Sequence, residues 1–193
     1  MNIENNELWC KEGHLNKAQA DLMIKISEKQ QPEYCLETGF CTGRSSLAVL
    51  LGGQKSIKKF ITLDINCKSK PLSAGALELI ESKYSFYKGI QGNTLDLLNK
   101  EFFEKEFPNG IDWFTVDGDH SYRGCKNDLD KALPYMNKNS VIIVDDYESG
   151  PPNGCPIPEV TNACDDFYNT HSDKLTKSKW NEGGKGFCIF RLI

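Results

Sequence analysis

Apolar residues recur along this chain at two alternating spacings. Over residues 15–27 they fall at Leu15, Ala18, Leu22 and Ile26, which gives a helix one apolar face. Short runs rich in β-branched and aromatic residues then alternate with helix-like stretches. The pattern predicts strands at 34–37, 60–64, 84–88, 111–117 and 140–145, and helices at 43–51, 73–81, 94–103, 123–135 and 158–170. The run SVIIVD at 140–145 is almost continuously apolar, as strands buried on both faces are. Two more strands, 174–179 and 187–192, flank the glycine-rich NEGGKG with no helix between them, so an antiparallel hairpin is expected. Repeated strand–helix alternation implies crossover units and a mostly parallel sheet with helices on both faces, an α/β three-layer sandwich. Ligands of such sheets bind outside the carboxyl ends of the strands.

Composition narrows the class. The 193 residues suit a single domain spanning 1–193, with an N-terminal segment and helix over 1–30. A formal charge of −4 argues against nucleic-acid binding, which needs a basic stripe, and the lysines at 174, 177, 179 and 185 read as a solvated face. The eight cysteines form no C-x-x-C pair and no zinc-site spacing, and the opening MNIENNELWC is polar. Reduced thiols in a cytoplasmic protein are expected. No apolar run reaches the ~20 residues of a membrane span. Residues 149–160 hold four of the eight prolines and follow the fifth strand, so they are a lid or a rigid connector.

Four strand ends carry candidate chemistry. In CLETGFCTGRSS (35–46), Glu37 closes a strand, Gly39 and Gly43 allow a tight turn, and a helix N-terminus with Ser45 follows. The spacing is G-x-x-x-G, so the dinucleotide fingerprint G-x-G-x-x-G is not met, and a plain strand–helix turn fits equally well. In FITLDIN (60–66), Asp64 stands where an acid can accept hydrogen bonds from ribose hydroxyls. In IQGNTLDLL (90–98), Asn93 and Thr94 either cap the next helix or border an adenine. In FTVDGDHSY (114–122) and VIIVDDY (141–147), Asp117, Asp145 and Asp146 converge at neighbouring strand ends. Carboxylates brought together repel unless protonated or neutralised, and a hard divalent cation such as Mg²⁺ would relieve that.

LETGFCTGRSS, TLDIN, GNTLDLL, FTVDGDHSY and VIIVDDY, in this order, resemble the class I S-adenosylmethionine-dependent methyltransferases, and most closely the small metal-dependent O-methyltransferases acting on catechols, caffeoyl-CoA or sugars. The resemblance covers about residues 13–193. It implies a Rossmann-like seven-stranded sheet with the last strand antiparallel. It also implies S-adenosylmethionine as cofactor, Mg²⁺ or another divalent cation, and a small-molecule acceptor such as a sugar, phenol or natural product. By this likeness Glu37, Gly39, Gly43 and Ser45 would hold the methionine end, Asp64 the ribose, and Asn93 and Thr94 the adenine. Asp117, Asp145 and Asp146 match the metal positions, with Asp117 also bordering the cofactor. Asp119 stands where sugar-methylating relatives carry an aspartate base, and His120 where the catechol enzymes carry a lysine; both are candidates for the proton acceptor. A homodimer is left open. The rivals are a cofactor-binding regulatory module without catalysis and a nicotinamide-dependent dehydrogenase.

Overall fold

The computed structural model describes residues 3–193. Seven strands form one sheet: β1 (Tyr34–Thr38), β2 (Lys59–Asp64), β3 (Tyr87–Gln91), β4 (Ile111–Val116), β5 (Met136–Val144), β6 (Leu175–Glu182) and β7 (Lys185–Leu192). Their spatial order is β3-β2-β1-β4-β5-β7-β6. β1 to β5 pair parallel, while β7 is antiparallel to both β5 and β6. The expected Rossmann-like sheet with an antiparallel last strand is therefore present. The strand order reverses between β1 and β4, the topological switch point.

Helices α1 (Lys17–Gln30), α2 (Arg44–Gly53) and α3 (Pro71–Lys83) cover one face. Helices α4 (Thr94–Leu97), α5 (Lys100–Glu106), α6 (Tyr122–Ala132) and α7 (Pro158–His171) belong to the other. Period-two alternation divides the core between them. Cys35, Trp113, Val141 and Ile143 pack with Met23, Leu47 and Leu50, whereas Leu36, Phe114, Ile142 and Val144 pack with Phe103, Leu129 and Phe167. The VIIV run is buried on both faces, as its composition predicts.

Three of the departures from the expected element boundaries have a local cause. The helix expected over 94–103 is two helices, because the Asn99 side chain accepts the Phe102 N–H at 3.0 Å and restarts the turn. β3 lies three residues later than expected, since α3 runs on to Lys83 and Tyr84 ends it. The helix expected to reach Tyr135 stops at Ala132, and Pro134, which lacks an N–H, sits in a 3₁₀ turn leading into a longer β5.

Candidate active site

The hydrogen-bond ladder runs one residue past the strands at the switch point. Gly39 N–H donates to Leu63 O (2.8 Å), Asp117 N–H to Thr38 O (2.8 Å) and Asp145 N–H to Val116 O (3.0 Å). This aligns the glycine turn, Asp117 and Asp145 in one row at the carboxyl edge. Gly39 has φ +86°, and a Cβ there would stand 1.9 Å from Asp117 O. Only glycine meets both demands, so this turn can lie against β4. Above the row opens a cleft of about 540 Å³, lined among others by Gly39, Asp64, Asp117, His120, Asp146 and Lys185.

Beneath the turn lies Glu37, fully buried. Its carboxylate accepts from Ser45 Oγ (2.6 Å), Thr62 Oγ1 (2.8 Å) and Ser46 Oγ. Burial raises its pKa to about 7, against the pull of those three hydroxyls. Glu37 is thus one layer below the cleft and acts on it by fixing Ser45, which lines it. Asp64 does line the cleft. Its Oδ2 accepts the N–H groups of Phe40 (2.8 Å) and Cys41 (3.3 Å), and its Oδ1 that of Asn66 (2.6 Å). A carboxylate offers about four acceptor directions, so capacity remains for a ligand hydroxyl.

The acidic end is neutralised from within. His120 Nε2 is 3.2 Å from Asp117 Oδ1 and its Nδ1 is 3.6 Å from Asp146 Oδ2. The Asp117 hydrogen bond, helped by the charges of Asp117, Asp146 and Asp145, lifts the His120 pKa to about 9, so the ring is cationic at neutral pH. Lys185 Nζ stands 3.7 Å from Asp146 Oδ1. Burial raises Asp117, with His120 opposing, and holds Asp145 well above the usual carboxylate range, with Asp117 and Asp146 adding to the effect. Asp146 itself adopts φ 59°, a left-handed conformation that aspartate tolerates at modest cost.

The sequence candidates separate in space. Among the described residues, one group of ligand atoms lies within 4.8 Å of one another: Asp117, His120 and Asp146. Asp145 is beside them, but its Oδ1 already accepts from Gln19 Nε2 and from the Asp146 N–H, both at 2.8 Å. The carboxylates of Asp117 and Asp146, with Asp145 behind them, fit a hard divalent cation, and protonated His120 holds the place between them that such a cation would take. Asp119 does not line the cleft. Its Oδ1 accepts the Ser121 N–H (2.9 Å), and its side chain fills the space left by Gly124, where a Cβ would meet it at 2.3 Å. Asn93 caps α4 through the Leu95 N–H (3.0 Å), and neither Asn93 nor Thr94 lines the cleft.

Lys185, Ile65 and His14 are among the lining residues that sequence reasoning missed. Ile65 follows the acid of β2 and could have been suspected, being 61% exposed beside a ligand-binding end. Lys185, read from the sequence as part of a solvated lysine face, instead points into the cleft with its side chain 15% exposed. The connector at 149–157 forms a wall that includes Asn153, Cys155 and Ile157. It is docked on the β6–β7 turn by Gly150 N–H to Gly184 O (2.8 Å) and Asn153 N–H to Gly183 O (3.2 Å).

A glycine turn, a strand-end acid and a carboxylate cluster face one cleft at the switch point of a doubly wound α/β sheet, the place where such folds bind their ligands. The methyltransferase domain family matches residues 36–147, more than half of the chain, and the chain belongs to that family. An O-methyltransferase from Bacillus cereus, solved with S-adenosylhomocysteine, superposes with a TM-score of 0.73 at 18% identity, covering 94% of this chain and 84% of that one. An O-methyltransferase of tomaymycin synthesis from Streptomyces achromogenes, solved with S-adenosylmethionine, gives 0.70 at 16% identity, covering 92% and 81%. An uncharacterized protein of Acanthamoeba polyphaga mimivirus is 28% identical over 142 residues, 70% of this chain. The chain spans 60% of the length of that curated relative.

Proposed function

We propose that this chain is an S-adenosylmethionine-dependent methyltransferase acting, with a divalent cation, on a hydroxyl of a small acceptor. The observation that carries the reading is the meeting of the Gly39 turn, Asp64 and the Asp117–His120–Asp146 group in a single cleft. Family membership and the ligands of the two O-methyltransferases it resembles support the same cofactor. Eight unpaired cysteines fit a reducing, cytoplasmic setting, and the formal charge of −4 fits a small-molecule rather than a nucleic-acid partner. Among the described residues no helix is long and apolar enough to cross a membrane.

S-adenosylmethionine supplies a methyl group on a sulfonium, so the difficulty left to the protein is a weakly nucleophilic hydroxyl. The Gly39–Gly43 turn and the α2 N-terminus would face the methionine carboxylate, Asp64 a ribose hydroxyl, and exposed Ile65 a flat apolar ring. Asp117 and Asp146, with Asp145 behind them, would hold the cation, whose Lewis acidity lowers the pKa of an acceptor hydroxyl. With those two carboxylates engaged, His120 would lose the partners that keep it protonated and would be free to take the acceptor's proton. Asp119, turned away into the α6 entry, orients that turn instead.

Calorimetric titration with S-adenosylhomocysteine, followed by methylation assays on vicinal diols with Mg²⁺, Mn²⁺ or chelator, tests this. Binding and cation-dependent turnover are expected. Turnover unchanged in chelator would remove the cation role. Cofactor binding without any cation affinity would favour the regulatory module.

A further inference from the structure

Arg44 is the first residue of α2, at the positive end of a helix dipole, where a cation is unfavourable. Its guanidinium is taken up by backbone carbonyls of the N-terminal stretch. Nε donates to Cys10 O (2.8 Å), Nη1 to Gly13 O (2.9 Å) and Leu15 O (2.8 Å), and Nη2 to Lys11 O (2.5 Å). The same group stacks on Trp9, 4.4 Å from the ring centroid. One side chain thus ties down residues 9–15, a stretch with no helix or strand of its own. Gly13 is fitted to this contact, since a Cβ there would stand 2.6 Å from Thr42 Oγ1 and 2.8 Å from Arg44 Nε.

The clamped stretch faces the cleft. His14 and Leu15 line it together with Asp64 and the 39–42 turn, which Gly13 approaches at Thr42. It then enters α1, where Gln19, fully buried, accepts the Asn16 N–H through Oε1 (3.1 Å) and donates from Nε2 to Asp145 Oδ1. Residues 9–19 therefore touch the cofactor turn at one end and the acidic cluster at the other.

We propose that Arg44 is a positioning residue that builds the N-terminal stretch 9–15 into the wall of the cofactor site, so that cofactor affinity depends on the stretch being docked. This rests on the cleft being the cofactor site. A lysine cannot replace the fork, because it lacks the planar set of donors that four diverging carbonyls require. Docking and ligand binding must then favour each other reciprocally.

Limited trypsin cleavage after exposed Lys11, read by mass spectrometry, reports docking, and calorimetry with S-adenosylhomocysteine reports the site. In the wild type, saturating ligand should slow cleavage by about tenfold or more. Arg44→Lys and, independently, Gly13→Ala should speed cleavage and weaken ligand binding by about tenfold or more. Gly13→Ala retains the arginine, crowds the contact from the other side and keeps the test alive if Arg44→Lys fails to fold. Ligand affinity within about twofold of wild type in a folded variant whose Lys11 is cut faster would overturn the proposal. Absence of ligand binding by the wild type would instead overturn the cofactor reading beneath it.

Discussion

Replacing Lys185 by methionine removes a cation from the acidic cluster while keeping most of the aliphatic stem. The ammonium lies 3.7 Å from Asp146 Oδ1, and the two side chains are only 15% and 10% exposed. At that separation a pair of unit charges is worth roughly 4–5 kcal/mol at an effective dielectric of about 20. Removing one member of a buried pair commonly costs about 3–5 kcal/mol, because the other charge is left behind. His120 remains as a second cation 3.6 Å from Asp146 Oδ2, which reduces the loss to about 2–3 kcal/mol. For a chain of this length that corresponds to a melting temperature lower by about 4–12 °C. The variant also presents more uncompensated negative charge, so a divalent cation should bind it more tightly than it binds the wild type. Saturating cation stabilises both proteins, so the deficit shrinks by about 1.4 kcal/mol for each tenfold by which the variant binds the cation more tightly. Thermal unfolding of both proteins with Mn²⁺, Mg²⁺ or chelator measures this directly. A deficit of the same size in chelator and in saturating cation would refute the reasoning, as would a variant melting within about 1 °C of wild type.

Glu37 offers a pH test. Its native pKa of about 7 lies above the ordinary 4.5, so the folded state binds the proton more tightly than the unfolded one. That contribution is complete below pH 4.5 and is lost as pH rises through about 7. Glu37→Gln should flatten the decline in stability between about pH 5 and 8 by up to about 3 kcal/mol, measured from urea midpoints; a variant whose decline parallels the wild type would count against the buried carboxyl as its source. Thiol accessibility gives the second test. Cys41 and Cys155 are exposed and line the cleft, whereas Cys35, Cys67, Cys125, Cys164 and Cys188 are buried. Iodoacetamide should label the first pair before any of the five, and S-adenosylhomocysteine should slow labelling of Cys41 by about tenfold. Equal labelling of Cys41 with and without saturating ligand would place the ligand elsewhere.

The sheet was legible because its signals are local. VIIV declares a strand buried on both faces, NEGGKG declares a tight reversal, and the alternation of periods fixes the crossover topology. Boundaries were less so, since they depend on caps and packing. Nothing within 94–103 separates one amphipathic helix from two until Asn99 is seen to accept the Phe102 N–H. The strand-end acids were legible for the same local reason: each follows an apolar run and so must emerge at the carboxyl edge. Their roles were harder to read. Asp119 and Asp117 differ by two positions, yet a left-open space at Gly124 draws one into the α6 turn while the other faces the cleft.

The charges that oppose those acids were hidden because they arrive from elsewhere in the fold. Gly184, at φ +87°, would place a Cβ 2.0 Å from Gly150 O, so its backbone presses the β6–β7 turn onto the connector after β5. Lys185 is the next residue, and that contact delivers its ammonium to Asp146. His120 is local in sequence, but its protonation follows from facing Asp117 and Asp146 together, a juxtaposition made only when β4 and β5 pair. Asp145 is restrained by Gln19, far away on α1. A divalent cation proposed for this cluster would therefore meet two resident cations and one glutamine that must yield, as well as the three carboxylates themselves.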